Sequence, residues 1–294
     1  MDKLGFERAA ALLPPELRRH ALALPVEKRQ RTEEFRLRCG THATVLLPEG
    51  EVQFGGRSPV STAVLGAVME TATGASLHAA MDQLRQGFLT VRGGIRIGVC
   101  GTAVRDSRGV VFMKQFSSLS IRIPGEAKGC ADALLPKMLP LQSTLILAPP
   151  GVGKTTLLRE LICGMSDTGI RIGLCDERGE VAAVWNGVPQ FEVGRCTDVL
   201  SAIPKAEGTM MLLRAMNPQV IAMDEITERA DVAACIHAAG CGVKLFATAH
   251  GECLEGLQER PLYRMLLREK IFRNVIVITK KDGRRQYRME ALSC

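Results

Sequence analysis

The spacing of apolar residues changes more than once along the chain. Pro14-Pro15 ahead of Glu16-Leu17-Arg18-Arg19 marks a helix start, because proline is tolerated in a first helical turn. A second helix is predicted over residues 26–32. The period then drops to two. Glu34-Phe35-Arg36-Leu37-Arg38 alternates and Gly40 breaks it, so a strand is expected there. A second β-prone run follows at 44–47, with a turn at Pro48-Glu49-Gly50-Glu51. Residues 60–86 carry Ala, Leu and Met at helical spacing, with a break at Gly74. Residues 87–91 and 95–99 read as two strands around a Gly93-Gly94 turn, and 110–112 and 120–123 as further short strands. This half is expected to be α+β with a small antiparallel sheet.

From Leu141 strand and helix patterns alternate, which predicts a mostly parallel sheet. Strands are read at 144–147, 170–175, 220–223 and 243–247, and helices at 154–165, 210–216 and 230–239. Residues 275–279 and 286–289, around a turn at Asp282-Gly283, read as a hairpin. Pro124-Gly125 and Lys128-Gly129 mark a boundary near residue 130. The expected organisation is α/β, with a smaller α+β domain over 1–130 and a second domain over 131–294.

Composition narrows the function classes. Aromatic residues are only 4% of the chain, with Trp185 the single tryptophan, so stacking platforms for nucleic acid are scarce. The net charge of +7 is uneven. Residues 1–140 hold 19 Lys and Arg against 13 Asp and Glu, and residues 141–294 hold 19 against 18. A basic first half suits an acidic partner, an anionic membrane surface, nucleic acid or simply water. The ten cysteines form no CxxC and no zinc-ligand spacing. Cys100, Cys163 and Cys175 sit in apolar runs, as small buried hydrophobes of a reducing compartment do. No apolar run reaches the roughly 18 residues of a spanning helix. Residues 1–18 lack the pattern of a signal peptide. A cytoplasmic protein is therefore expected, peripheral at a membrane only through partners.

Ala148-Pro149-Pro150-Gly151-Val152-Gly153-Lys154-Thr155 follows an apolar strand and opens a helix. It matches the phosphate-binding loop Gly-x-x-x-x-Gly-Lys-Thr, with Ala148 in place of the first glycine. Backbone N–H groups of Pro149–Thr156 other than proline's, and the helix N-terminus, suit the phosphates of ATP. Lys154 is expected on the β- and γ-phosphates, and Thr155 on Mg²⁺. The bland alternative is a Gly-rich turn at a strand–helix junction. The apolar strand at 220–223 ends in Asp224-Glu225. Strand carboxyl ends of a parallel sheet are where ligands bind. Asp224 is expected to organise Mg²⁺ and Glu225 to orient or deprotonate the attacking water, although such a pair also caps helices. Cys175-Asp176-Glu177-Arg178 is a second acidic strand end, with Glu177 the catalytic candidate and Asp176 in support, or else a solvated turn. His250, at another strand end, is a candidate γ-phosphate contact, or a structural histidine. Arg92, Arg96 and Arg122 are candidates to stabilise charge on the phosphoryl group, or plain sheet-surface charges.

These residues resemble a known family, that of stage III sporulation protein AA, relatives of the type II and type IV secretion ATPases and the pilus-retraction motors. In the first half the likeness rests on residues 35–40, 86–98 and 117–123. In the second it rests on 149–159, 175–178, 194–200, 223–226 and 247–251. It is most specific at 87–98 and 195–200. Two departures stand out. Ala148 replaces the first loop glycine, and Thr227 follows Ile226 where the family favours glycine. The resemblance implies a RecA-like P-loop ATPase domain with a smaller N-terminal domain. It implies a hexameric ring, with ATP and Mg²⁺ bound between domains and near a neighbouring subunit. It maps an acidic box onto Asp176 and Glu177 and a histidine box onto His250. The implied role is to power a channel complex of membrane proteins between mother cell and forespore. Competing classes are a nucleotide-dependent scaffold or switch with little hydrolysis, a nucleic-acid-dependent ATPase and a small-molecule kinase.

Overall fold

The computed structural model describes residues 3–56, 58–74, 81–106, 109–125, 128–281 and 284–292. The chain divides into two compact units, Met1–Glu126 and Ala127–Cys294.

The first unit contains helices α1 (Lys3–Ala10), α2 (Pro15–Leu22), α3 (Val26–Arg31), α4 (Thr62–Thr73) and α5 (Met81–Arg85). Its strands are β1 (Glu34–Arg38), β2 (Thr44–Leu47), β3 (Gly50–Gln53), β4 (Phe88–Val91), β5 (Ile95–Asp106) and β6 (Gly109–Arg122). They form one sheet in the order β3-β2-β1-β6-β5-β4, with every neighbouring pair antiparallel. Period-two alternation sends Phe35, Leu37, Ile97, Leu119 and Ile121 into a core shared with the helices. The opposite face carries Arg36, Arg38, Arg96 and Arg122. The two short strands expected at 110–112 and 120–123 are one strand, β6. The polar residues Lys114 and Gln115 interrupt the apolar pattern, but β5 supplies hydrogen-bond partners on both sides of them. Register shifts between Cys100 and Thr102 absorb the extra residues, and Gln115 takes a φ of 50°. The expected turn over 48–51 is tighter, because Gly50 already pairs with Leu47. Helix α4 starts at Ser61, whose Oγ accepts from Val64 N at 3.3 Å, and stops at Gly74 with a φ of 57°. The part of the expected helical stretch at 75–80 lies outside the described residues.

The second unit contains β7 (Thr144–Ala148), α6 (Lys154–Asp167), β8 (Ile172–Asp176), β9 (Thr197–Ser201), α7 (Lys205–Ala215) and β10 (Val220–Met223). It continues with α8 (Arg229–Gly240), β11 (Lys244–His250), α9 (Leu254–Gln258), α10 (Pro261–Arg268), β12 (Asn274–Lys281) and β13 (Arg284–Ala291). The sheet order is β13-β12-β7-β11-β10-β8-β9, and only the β12–β13 pair is antiparallel. The turn expected at Asp282-Gly283 lies outside the described residues. Leu145, Ile146 and Leu147 are wholly buried, Ile146 against α6 and the other two towards α8 and α10. Each such side chain contributes about 1.5–3 kcal/mol of burial, which is why a central strand needs an uninterrupted apolar run.

Strand β9 has no such run, and its residues are all half-buried at the sheet edge. Packing just before it sets its place. Asp167 Oδ1 accepts from Arg195 N at 3.0 Å, and Ser166 Oγ from Cys196 N at 2.7 Å. Gly194 has a φ of 89°, and a Cβ there would lie 2.5 Å from that of Ser166. The 194–200 stretch thus docks the edge strand onto the end of α6.

Candidate active site

Strand β7 lies between β11 and β12, where the chain order of the sheet reverses. A crevice opens at such a point, beyond the strand carboxyl ends. Pro149, Pro150, Gly151, Val152 and Gly153 carry the chain from β7 into Lys154, Thr155 and Thr156, the first turn of α6. Gly151 and Gly153 take φ values of 74° and 111°, conformations that L side chains rarely adopt. The unpaired N–H groups of the helix start face this loop.

Lys154 is 5% exposed. Its Nζ donates to the carbonyls of Ala148 and Pro149 at 3.2 and 3.3 Å, and lies 2.8 Å from His250 Nδ1. Burial lowers the affinity of this ammonium for its proton, while the charges of Glu225, Asp224 and Glu180 oppose that shift. His250 Nε2 is 2.6 Å from Glu225 Oε1. With Nδ1 accepting from the lysine, the imidazole proton sits on Nε2 and points at Glu225. A continuous path thus links Lys154 at the start of α6, His250 at the end of β11 and Glu225 just after β10.

Asp224 and Glu225 divide their work. Asp224 Oδ2 accepts from Thr155 Oγ1 at 2.6 Å, and Oδ1 from Thr248 Oγ1 at 2.5 Å. Thr248 Oγ1 also accepts from Glu225 N at 2.9 Å. That anchor holds Glu225 at a φ of 52°, a strained backbone of the kind found at functional sites. The Glu225 carboxylate receives Arg178 Nη1 at 3.0 Å. The oxygens of Thr155 and Asp224 converge as hard-cation ligands do, so this pair fits Mg²⁺. A cavity of about 10 Å³, the size of one water, lies among Glu177, Arg178, Glu180, Lys205, Asp224 and Glu225.

Asp176 and Glu177 part company. Asp176 is buried, and its two oxygens accept from the backbone N–H groups of Glu180, Val181 and Ala182 at 2.8–3.1 Å. Burial raises its carboxyl above the ordinary range despite those three donors. It builds the loop after β8 and lines the small cavity beside Glu177. Glu177 pairs with Lys205, a buried cation that also lies 3.8 Å from Asp231. The sequence reading missed Lys205. Its signal was available, because a lysine in the first turn of a helix opposes the helix dipole and calls for acidic partners. Thr248 and the role of Arg178 were also missed. Thr227, the departure after Ile226, is accommodated, since Asp231 Oδ2 accepts from Thr227 N and Glu228 N at 3.0 and 3.1 Å.

Behind the acidic strand end, buried Tyr263 donates its hydroxyl to Ile226 O at 2.7 Å. We expect Tyr263→Phe to lower unfolding stability by about 1–2 kcal/mol, read by urea titration, because a buried carbonyl loses its partner. Burial pushes the thiols of Cys175 and Cys235 up to about 11 and about 12. Of the three cysteines expected to be small buried hydrophobes, Cys175 is buried, Cys163 is half-buried and Cys100 is exposed, because strand alternation after buried Val99 turns it to the open face of β5.

Arg96 and Arg122 belong to the first unit, where they face each other across β5 and β6. Arg122 Nε lies 3.0 Å from Glu34, which also holds Arg36 at 2.6 Å, and the Arg96 guanidinium lies 3.8 Å from the Phe88 ring centroid. Arg92 is exposed in the turn between β4 and β5.

A model of the family described as sporulation stage III, protein AA, matches residues 7–288. The chain belongs to this family. It is 32% identical over 282 residues to stage III sporulation protein AA of Bacillus subtilis, covering 93% of this chain and 91% of that protein. Among solved structures, the ATPase DotB of Yersinia pseudotuberculosis superposes with a TM-score of 0.59 at 16% identity, covering 92% of this chain and 80% of DotB. The pilus retraction motor PilT, solved with ADP, gives 0.58 at 17% identity, covering 92% and 83%. At these identities the likeness is one of fold, a mixed α/β architecture with two sheets shared with DotB and PilT. Among the described residues of this family member, no helix is long and apolar enough to cross a membrane.

Proposed function

We propose that this protein is an ATP-hydrolysing motor of the secretion-ATPase type, with a RecA-like P-loop domain, that powers a channel complex during sporulation. The observation that carries it is the Lys154–His250–Glu225 path beside the Thr155–Asp224 pair, all at the carboxyl ends of β7, β10 and β11. The ATP phosphates replace the loop carbonyls as partners of Lys154. The loop N–H groups cradle them, as helix N-termini hold anions. Mg²⁺, when bound, neutralises phosphate charge. Thr155 and Asp224 would hold it, with Thr248 keeping Asp224 in place. Glu225 takes the proton of the attacking water, while His250 connects it to Lys154 at the phosphates. Glu177, tied to Lys205, adds negative charge beside the water-sized cavity. In an oligomeric ring of six copies, Arg96 or Arg122 of a neighbouring copy stabilises charge on the transferred phosphoryl group. The resident partners are the channel proteins in the septal membranes, which account for membrane placement.

A second reading is a nucleotide-dependent switch with little turnover. It is favoured by Arg178, which holds the Glu225 carboxylate. One experiment separates the two. Phosphate release is measured against protein concentration, with ATP affinity measured in parallel for wild type and Lys154→Ala. A motor shows a rate rising faster than linearly with concentration. The Lys154→Ala variant binds ATP at least about tenfold more weakly, the loss expected for a charged phosphate contact. Tight binding without turnover at any concentration supports the switch, and wild-type affinity in Lys154→Ala refutes both readings.

A further inference from the structure

The second unit holds a larger cavity on the far side of the phosphate loop from Glu225 and Asp224, which do not line it. It measures about 390 Å³ and is bounded by Gly151 and Val152 on one side and by Lys280, Arg284, Arg285 and Tyr287 on the other. Its position follows from the β12–β13 register. Ile278 pairs with Tyr287 and Lys280 with Arg285, so all four side chains share one face of the hairpin. Ile278 is buried in the core beneath α6, and Tyr287 packs against that core. This face therefore lies on the α6 side of the sheet. Past Ile278 it extends over the phosphate loop. Arg285 reaches that loop directly, since a Cβ placed on Gly153 would lie 3.0 Å from its guanidinium carbon.

The chemistry of the lining is mixed in a telling way. Two cations, Lys280 and Arg285, and one phenol ring share the face towards the cavity, Arg284 borders it from the next strand position, and none of its described lining residues is acidic. Tyr287 is half-buried and packs against the core, so the ring is held in place. The volume falls in the range of small-molecule sites. A ligand suited to this lining is anionic at the end near Arg285 and planar at the end near Tyr287. Gly151 and Val152 belong to both this cavity and the phosphate loop, so one ligand can occupy the two together.

We propose that the β12–β13 hairpin is the second half of the nucleotide site, in which Tyr287 carries the base and Arg285 and Lys280 hold the ribose-proximal phosphate. The inference rests on the phosphate-loop reading of the proposed function and adds the residues that recognise the nucleoside. Aromatic stacking on a base is sequence-tolerant and strong enough to set affinity. Guanidinium and ammonium groups at the near end add charge-assisted contacts to phosphate oxygens.

The test compares two ligands, Mg-ATP and inorganic tripolyphosphate with Mg²⁺, by titration calorimetry on the full chain. Tripolyphosphate has no base, so damage to the fold or to the loop weakens both ligands, whereas loss of base contact weakens ATP alone. For Tyr287→Ala the ATP affinity falls about tenfold and the tripolyphosphate affinity is unchanged. For Tyr287→Phe both are kept, because the ring and not the hydroxyl does the binding. An unchanged ratio of the two affinities in Tyr287→Ala overturns the proposal, whatever the absolute values. In Lys154→Ala both ligands weaken together. If they do not, the loop reading fails, and that failure is read separately from the ratio in Tyr287→Ala.

Discussion

In Glu225→Gln, ATP hydrolysis falls by about 10²–10⁴-fold while ATP affinity stays near that of wild type. The substitution is nearly isosteric, and the backbone anchor from Glu225 N to Thr248 Oγ1 does not involve the side chain. The strained backbone and the neighbouring Asp224 are thus left in place. What is lost is the proton acceptor and the charge that holds His250 and Arg178. An amide in this position still accepts a hydrogen bond but takes no proton from water. Phosphate release at saturating ATP, with affinity measured separately, distinguishes this from a binding defect. A rate within a few-fold of wild type would move the base elsewhere, and Glu177, beside the same small cavity, is the next carboxylate to test.

Asp176→Ala is expected to destabilise the fold by about 3 kcal/mol, because three backbone N–H groups, those of Val181 and Ala182 buried and that of Glu180 half-buried, lose their acceptor at once. The effect spreads from there. The loop those groups belong to also supplies the Glu180 and Val181 carbonyls that receive Arg159 of α6, at 2.7 and 2.5 Å. Asp176→Asn is milder. Its amide oxygen keeps the donors of Glu180 and Val181, but its NH₂ faces the N–H of Ala182. Urea unfolding of the three proteins gives the order wild type, Asn, Ala. Equal stability of Asp176→Ala and wild type would show that the loop does not depend on this carboxylate, and would return Asp176 to the list of catalytic candidates.

The second sheet was legible in the sequence wherever burial on both faces demands an unbroken apolar run, as at β7 and β10. The edge strand β9 was not, because one open side removes that demand, and its position is set by Gly194 packed against Ser166. In the first unit, alternation in β1 was plain. The polar middle of β6 hid its continuity, since a bulge lets a strand pass through residues that look like a break.

At the site, spacing and residue type alone marked Lys154, Thr155, Asp224, Glu225 and His250, because a phosphate loop and acidic strand ends have local signatures. Those signatures are set by backbone conformation and by the helix start, which are short-range. The tertiary structure decided the rest, through pairings between residues far apart in the chain. Thr248 is 24 positions from Asp224, Lys205 28 from Glu177 and His250 96 from Lys154. It also separated Asp176 from Glu177, neighbours with one side chain turned into the protein and the other towards Lys205. Side-chain type says what chemistry a residue can do. Which partner it meets depends on how strands are ordered in the sheet, and that order is a property of the packed whole.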